Sequence, residues 1–142
     1  MIMNRMIIAV VAALAAVGCC GEKAGMWPEL SGEWNVIEID GTMVSADSSE
    51  TKPYIGFSPA DSSIFGCAGC NRIVGRIGID EDATVADFSK IGTTMMLCED
   101  MSVENMFMPA LAAVKNYYRV SDSRIELRDA DGKVRMVLES SL

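Results

Sequence analysis

Gly66-Cys67-Ala68-Gly69-Cys70-Asn71-Arg72-Ile73-Val74-Gly75-Arg76-Ile77-Gly78-Ile79 is the stretch on which the fold turns. Two cysteines separated by two residues invite comparison with thiol–disulfide oxidoreductases, where such a pair opens a helix whose N-terminus lowers the thiol pKa. The residues that follow here do not have helical spacing. Ile73, Ile77 and Ile79 alternate with Arg72, Arg76 and Gly78, which is period two, so a strand follows the second cysteine. Glycines at 66, 69 and 75 permit tight turns or close strand approach. A redox role for Cys67 and Cys70 therefore ranks behind the non-catalytic readings.

Working outward, the same short period recurs on both sides. Upstream, Leu30, Trp34 and Val36 alternate with Ser31, Glu33 and Asn35 until Asp40-Gly41 signals a turn, and the Ser- and Asp-rich stretch from Thr42 to Lys52 reads as a loop. Tyr54 to Ser58 and Ser63 to Gly66 are further strands. Downstream, Asp80-Glu81-Asp82 is a turn that lacks the spacing and glycine of an EF-hand, and Thr84 to Phe88 is another strand. Val103, Met106, Phe107, Ala110, Leu111 and Val114 then recur at intervals of three and four, the signature of a helix face. Ser102 is its expected N-cap and Glu104 suits its first turn, while Pro109 is expected to kink it or to restrict its regular part to later residues. The methionines of this helix read as core filler, because soft-metal binding requires thioethers clustered on an exposed face. Tyr117 to Ser121 is a strand, and Arg124 to Arg128 and Val134 to Leu138 form a hairpin about Asp129-Ala130-Asp131-Gly132. Many short strands with one late helix predict an α+β domain, a mostly antiparallel sheet that is curled or barrel-like.

The N-terminus reads as an export signal. Arg5 precedes an apolar run from Met6 to Val17, which is too short to span a bilayer, and small residues lead into Cys19. Ala16-Val17-Gly18-Cys19 resembles the bacterial lipobox, with Ala16 where leucine is more usual. The expected organisation is a lipoprotein signal peptide at 1–18, a lipidated Cys19 opening a tether at 19–29, and one folded domain at 30–142. Acyl chains on Cys19 would anchor the domain at a membrane, each buried methylene adding about 0.8 kcal/mol. The expected location is the cell envelope, and the lack of Asp at position 20 favours the outer membrane, on its periplasmic or surface face.

Composition narrows the chemistry. The net charge of −8 disfavours nucleic acid as a partner. With no histidine among 142 residues, the commonest general acid–base, the Ser–His and Cys–His nucleophile pairs and imidazole metal sites are all excluded. No catalytic residue, metal or cofactor is indicated. With Cys19 lipidated, Cys20, Cys67, Cys70 and Cys98 remain, and disulfides are the default in an oxidising compartment.

Four segments in order resemble the META domain, the family of HslJ-like bacterial envelope proteins. Leu30, Gly32, Trp34 and Gly41 resemble its opening strand and turn, and Gly69-Cys70-Asn71 with Gly75 resembles its G-C-N-x-x-x-G centre. Thr94-Met95-Met96-Leu97-Cys98 resembles T-x-M-x-C, and Glu104, Phe107 and Leu111 match E-x-x-F-x-x-x-L. Ile77 stands where an aromatic is common, Cys67 is an extra cysteine, and Pro109 sits inside the helix match. The resemblance implies a small mixed β domain, often on an exported protein, without established enzymatic activity and associated with stress responses. It also implies a Cys70–Cys98 disulfide. Cys67–Cys98 is the main alternative; otherwise Cys67 pairs with Cys20 or stays a buried thiol. Gly69, Asn71, Gly75, Thr94 and Met96 are the expected structural motif, with Asn71 tying loop backbone groups together through its side chain. The leading functional reading is a non-enzymatic envelope lipoprotein that binds or supports under stress, with an envelope protein as the partner to be found. An inhibitor of secreted hydrolases, or another protein-binding module, is the second reading.

Overall fold

The computed structural model describes residues 30–44, 52–79 and 85–142. The leader, Cys19, the tether to residue 29 and the acidic turn at 80–82 lie outside the described residues. Strands β1 (Gly32–Ile39), β2 (Thr42–Met43), β3 (Tyr54–Ser58), β4 (Ser63–Cys67), β5 (Arg72–Ile79) and β6 (Ala86–Thr93) come first. Helix α1 (Ser102–Ala113) follows, and then β7 (Val114–Ser121), β8 (Arg124–Asp129) and β9 (Val134–Ser140). All strand pairs are antiparallel, in the order β6-β5-β4-β3-β1-β9-β8-β7, with β2 folded back on β1. The fold is the curled antiparallel sheet with one late helix that the short-strand pattern predicts.

Register breaks supply the curl. The pairings slip between Val36 and Glu38, between Arg76 and Gly78, and between Arg119 and Ser121. Such irregularities bend strands and increase their twist. The curl brings the far ends together, and a single antiparallel bridge from Val85 to Asn116 links the start of β6 to β7. Inside lie Trp34, Ile55, Phe57, Ile73, Phe88, Leu127 and Leu138, and Phe107, Ala110 and Leu111 of α1 pack into the same cluster. The Trp34 indole N–H donates to the Leu30 carbonyl at 3.0 Å, which satisfies its one polar atom within the core.

Several local expectations change. The 42–52 stretch is not all loop, because Asp40 (φ 47°) and Gly41 (φ 81°) form a two-residue hairpin turn that returns Thr42 to pair with Ile39. Of the strand expected at Thr84 to Phe88, Thr84 lies outside the described residues and the rest runs on to Thr93, since pairing with β5 carries polar and charged residues whose side chains face outward. Ser102 does not cap α1: the cap position is Met101 and makes no side-chain bond. Asp100 serves instead, its Oδ1 accepting the Ser102 N–H at 2.8 Å. Pro109 neither ends nor delays the helix, which is continuous from 102 to 113. Pro109 and Asn105 are both exposed, so water can satisfy the Asn105 carbonyl that proline leaves unbonded. Val114 belongs to β7, not to the helix.

Gly75 shows how closely the strands approach. A Cβ there would collide with the Lys90 carbonyl oxygen of β6 and come within 2.8 Å of the Ile91 Cα. At Gly92 an added Cβ would meet nothing nearer than the Val74 oxygen at 3.8 Å. Gly75→Ala is therefore expected to destabilise by about 1–3 kcal/mol, the cost of overpacking, whereas Gly92→Ala leaves the thermal midpoint nearly unchanged. Equal midpoints for the two variants would count against this packing.

Candidate functional site

The chemistry of the chain converges on the corner between β4 and β5. Gly69 (φ 117°) turns the chain there, and its α-carbon faces helix α1, where an added Cβ would sit 3.2 Å from the Val103 side chain. The turn leaves the backbone N–H groups of Cys70 and Asn71 inside the protein with no strand to pair with. Both donate to Glu104 Oε2, at 3.3 and 2.7 Å. The Asn71 amide Nδ2 donates to Glu104 Oε1 at 2.6 Å. Asn71 and Glu104 are the two buried polar residues among those described, 3 % and 8 % exposed. No Lys or Arg pairs with this carboxylate among the described residues. Its charge is met by N–H dipoles.

Asn71 also reaches the other way. Its Nδ2 donates to the Met96 carbonyl at 3.1 Å, and its Oδ1 accepts the Met96 N–H at 2.6 Å and the Thr94 hydroxyl at 2.9 Å. Thr94 Oγ1 accepts the Arg72 N–H at 3.0 Å, and the Thr94 N–H bonds the Arg72 carbonyl at 3.0 Å. One asparagine thus holds both backbone groups of Met96 and joins the corner, the 94–98 loop and the helix. Two residues further on, Cys98 is bonded to Cys70, 28 positions away in sequence and with α-carbons 6.0 Å apart. Closing a loop of that size adds about 3.5 kcal/mol in the chain-entropy model.

Cys70–Cys98 is the disulfide that the resemblance implies. Cys67 is a buried free thiol, so the two cysteines of the C-x-x-C stretch are not bonded to each other. Cys20 lies outside the described residues. Gly69, Asn71, Thr94 and Met96 meet at the corner, while Gly75 stands apart at the β5–β6 contact.

The role of Glu104 goes beyond what the sequence suggests, which is only a first-turn acid and a family match. The available signal is its position in the helical stripe: an acid among Val103, Phe107 and Leu111 faces the interior and needs donors there. Also unanticipated is what the clamped loop displays. Met95 is 93 % and Leu97 95 % exposed, and Met96 is 56 % exposed. Beside them runs a groove of about 410 Å³ bordered by Thr93, Met95, Met96, Leu97 and Met101, with Asn71 and Glu104 at its base. A larger groove of about 620 Å³ beside the start of β1, lined by Ser31, Phe57, Pro59 and Phe65 among others, contains no ionisable side chain. Among the described residues, no three His, Cys, Asp or Glu side chains gather where they could hold a metal.

A curled antiparallel sheet closed around one helix, with a helix carboxylate tied to a Gly-Cys-Asn corner, defines a class of small disulfide-bonded β domains. The chain belongs to the META domain family, whose model matches residues 28–141. Solved structures share the fold at low identity. An NMR structure of a protein from Burkholderia xenovorans is 21% identical, covering 80% of this chain and 85% of that one, with a TM-score of 0.59. A second NMR structure is 18% identical over 78% of this chain and 89% of the other, at 0.58. A crystal structure of a DUF4847 family protein from Bacteroides vulgatus is 19% identical over 78% and 92%, at 0.54. Comparison with curated proteins finds no significant match.

The hub and the start of the helix make one prediction each. Asn71→Ala strands the Met96 N–H and one Glu104 oxygen, so stability should fall by on the order of 3 kcal/mol. Combined with Glu104→Ala, the loss should be clearly smaller than the sum, by at least about 0.5 kcal/mol in a denaturant double-mutant cycle; additive losses would show two independent sites. The second concerns Asp100, whose carboxyl lies below its usual 3.8 because the Ser102 hydroxyl and then the Ser102 N–H bond its ionised form. A depressed folded-state pKa contributes stability that is fully present above the ordinary value and is lost as the pH falls through the folded one. Asp100→Ala should therefore lower the thermal midpoint at neutral pH, and the gap to wild type should close in increasingly acidic buffer. A gap independent of pH would rule the contribution out.

Proposed function

We propose that the protein is a non-enzymatic, lipid-anchored module of the cell envelope that works by binding, with the clamped 94–98 loop as its contact surface. The observation that carries the reading is exposure without freedom. Met95 and Leu97 stand almost fully in solvent, while the backbone between them is bonded on both sides to Asn71 and Cys98 is tied to Cys70. Large apolar side chains held in this way offer contact area at a low ordering cost. An envelope protein is the partner class that such a rigid apolar tip suits, and a secreted hydrolase is one form of it. The absence of histidine supports a role without catalysis. The basic and apolar leader ending at Cys19 supports the anchor.

Two measurements test the two halves of this reading. Metabolic labelling with a fatty-acid probe should mark the wild-type chain and not Cys19→Ser, which should also leave the membrane fraction; a label that persists in the variant refutes the anchor. A photo-crosslinking residue at position 97 should give a discrete envelope adduct that one at position 122, on the β7–β8 turn, does not give. The adduct should weaken when Asn71→Ala frees the loop. Equal adducts from both positions, or none from 97, would reject the loop as the contact surface.

A further inference from the structure

The chain holds 11 methionines, and those that the structure describes fall into two groups, with the exposed Met43 of β2 apart from both. Met106 and Met108 pack against the core, and Met136 is fully buried. Met95, Met96 and Met101 instead border one exposed groove. A set of methionines other than those of the helix stripe thus borders a single surface groove.

We propose that Met95, Met96 and Met101 form a binding site for a soft monovalent cation, Cu(I). Thioethers are neutral, polarizable donors that select Cu(I) over Zn(II), Mg(II) or Ca(II), which take harder or thiolate ligands. Three of them match the low coordination number of that ion. The scaffold is ordered where a site needs order. Met96 is held at both its N–H and its carbonyl by Asn71, Cys98 is disulfide-bonded, and the Met101 carbonyl accepts the first-turn Asn105 N–H at 2.9 Å. Each side chain has three rotatable bonds, and Met95, almost fully in solvent, has no packing that would hold its sulfur away from an ion. Electrostatics agrees in sign: the Glu104 carboxylate lies at the base of the same groove with no cationic side chain paired to it among the described residues, and the chain carries a net charge of −8. Three N–H donors hold the Glu104 carboxylate in place beneath the groove. The inference requires neither the lipid anchor nor a protein partner, and it stands or falls apart from them.

The test uses the full chain in detergent, carrying Cys19→Ser, Cys20→Ser and Cys67→Ala. With Cys70 and Cys98 bridged, thioethers are then the remaining soft donors. Methionine methyl groups labelled with carbon-13 are followed by NMR during addition of Ag(I), a redox-inert probe, and of Cu(I) under anaerobic ascorbate with bicinchoninate as competitor. The methyls of Met95, Met96 and Met101 should shift together and saturate at one ion per chain, while the exposed Met43 on β2 stays unshifted. Met95→Leu/Met96→Leu/Met101→Leu should weaken withdrawal of Cu(I) from the competitor by at least about tenfold, and Met43→Leu should leave it unchanged. The thermal midpoint of each variant verifies folding. Absence of methyl shifts in the wild type, shifts spread over Met43 as well, or equal affinity in the triple variant would each overturn the proposal.

Discussion

Glu104 holds the one carboxylate that the sheet corner, the displayed loop and the helix all depend on. Where β4 turns into β5, the chain leaves two backbone N–H groups facing the interior with no neighbouring strand to accept them. Buried donors of this kind must find an acceptor, and a charged one makes the stronger bond. The acid sits on the first turn of α1, so satisfying the corner also fixes where the helix enters the curl. Asn71 then passes that constraint to the loop, its amide donating to Glu104 and Met96 and its carbonyl oxygen accepting from Met96 and Thr94. Position is thereby transmitted through a few side-chain atoms from a helix to a surface.

The disulfide and the asparagine hub restrain the same loop by different physics. The Cys70–Cys98 bond acts largely on the unfolded chain, removing conformations in which the corner and the loop are apart. The hydrogen bonds act on the folded chain, choosing one backbone course for residues 94–96 among those that the covalent link would permit. Either alone would leave the loop attached but variable, or ordered but weakly held. Together they hold an apolar tip in solvent against its tendency to turn inward.

Most of the architecture was legible because it follows from period. Alternation around Ile73 and Ile77, the Asp40-Gly41 and Asp131-Gly132 turns, and the three-and-four spacing from Val103 to Leu111 each express a local rule, and each has its counterpart in the structure. The misreadings arose where tertiary contact outweighs local preference. Local propensity does not account for the second half of β6, for example, where the polar Ser89 and Lys90 are strand residues because β5 lies beside them. Pro109 is tolerated because its helix face is solvated. The site was legible in its members and not in its wiring: Cys70, Asn71, Thr94 and Cys98 came through the family resemblance, whereas the bond pattern around Glu104 depends on a contact across 33 positions, which no local pattern encodes.

The sheet order carries a consequence for when this protein can become itself. Strands β1 and β3 to β6 form one run of neighbours from the first half of the domain, and β7 to β9 form another from its end. The ladder between β1 and β9 joins the two runs at the middle of the sheet. A ribosome must therefore deliver residues 134–140 before the opening strand has both of its neighbours. Until β9 has emerged, the strands made before it lack the neighbour that joins the two runs, and β1 keeps one edge unpaired. The pairing that completes the sheet therefore spans almost the whole domain, so closure waits on contact between its most distant strands and belongs to the slow, non-local kind of folding step.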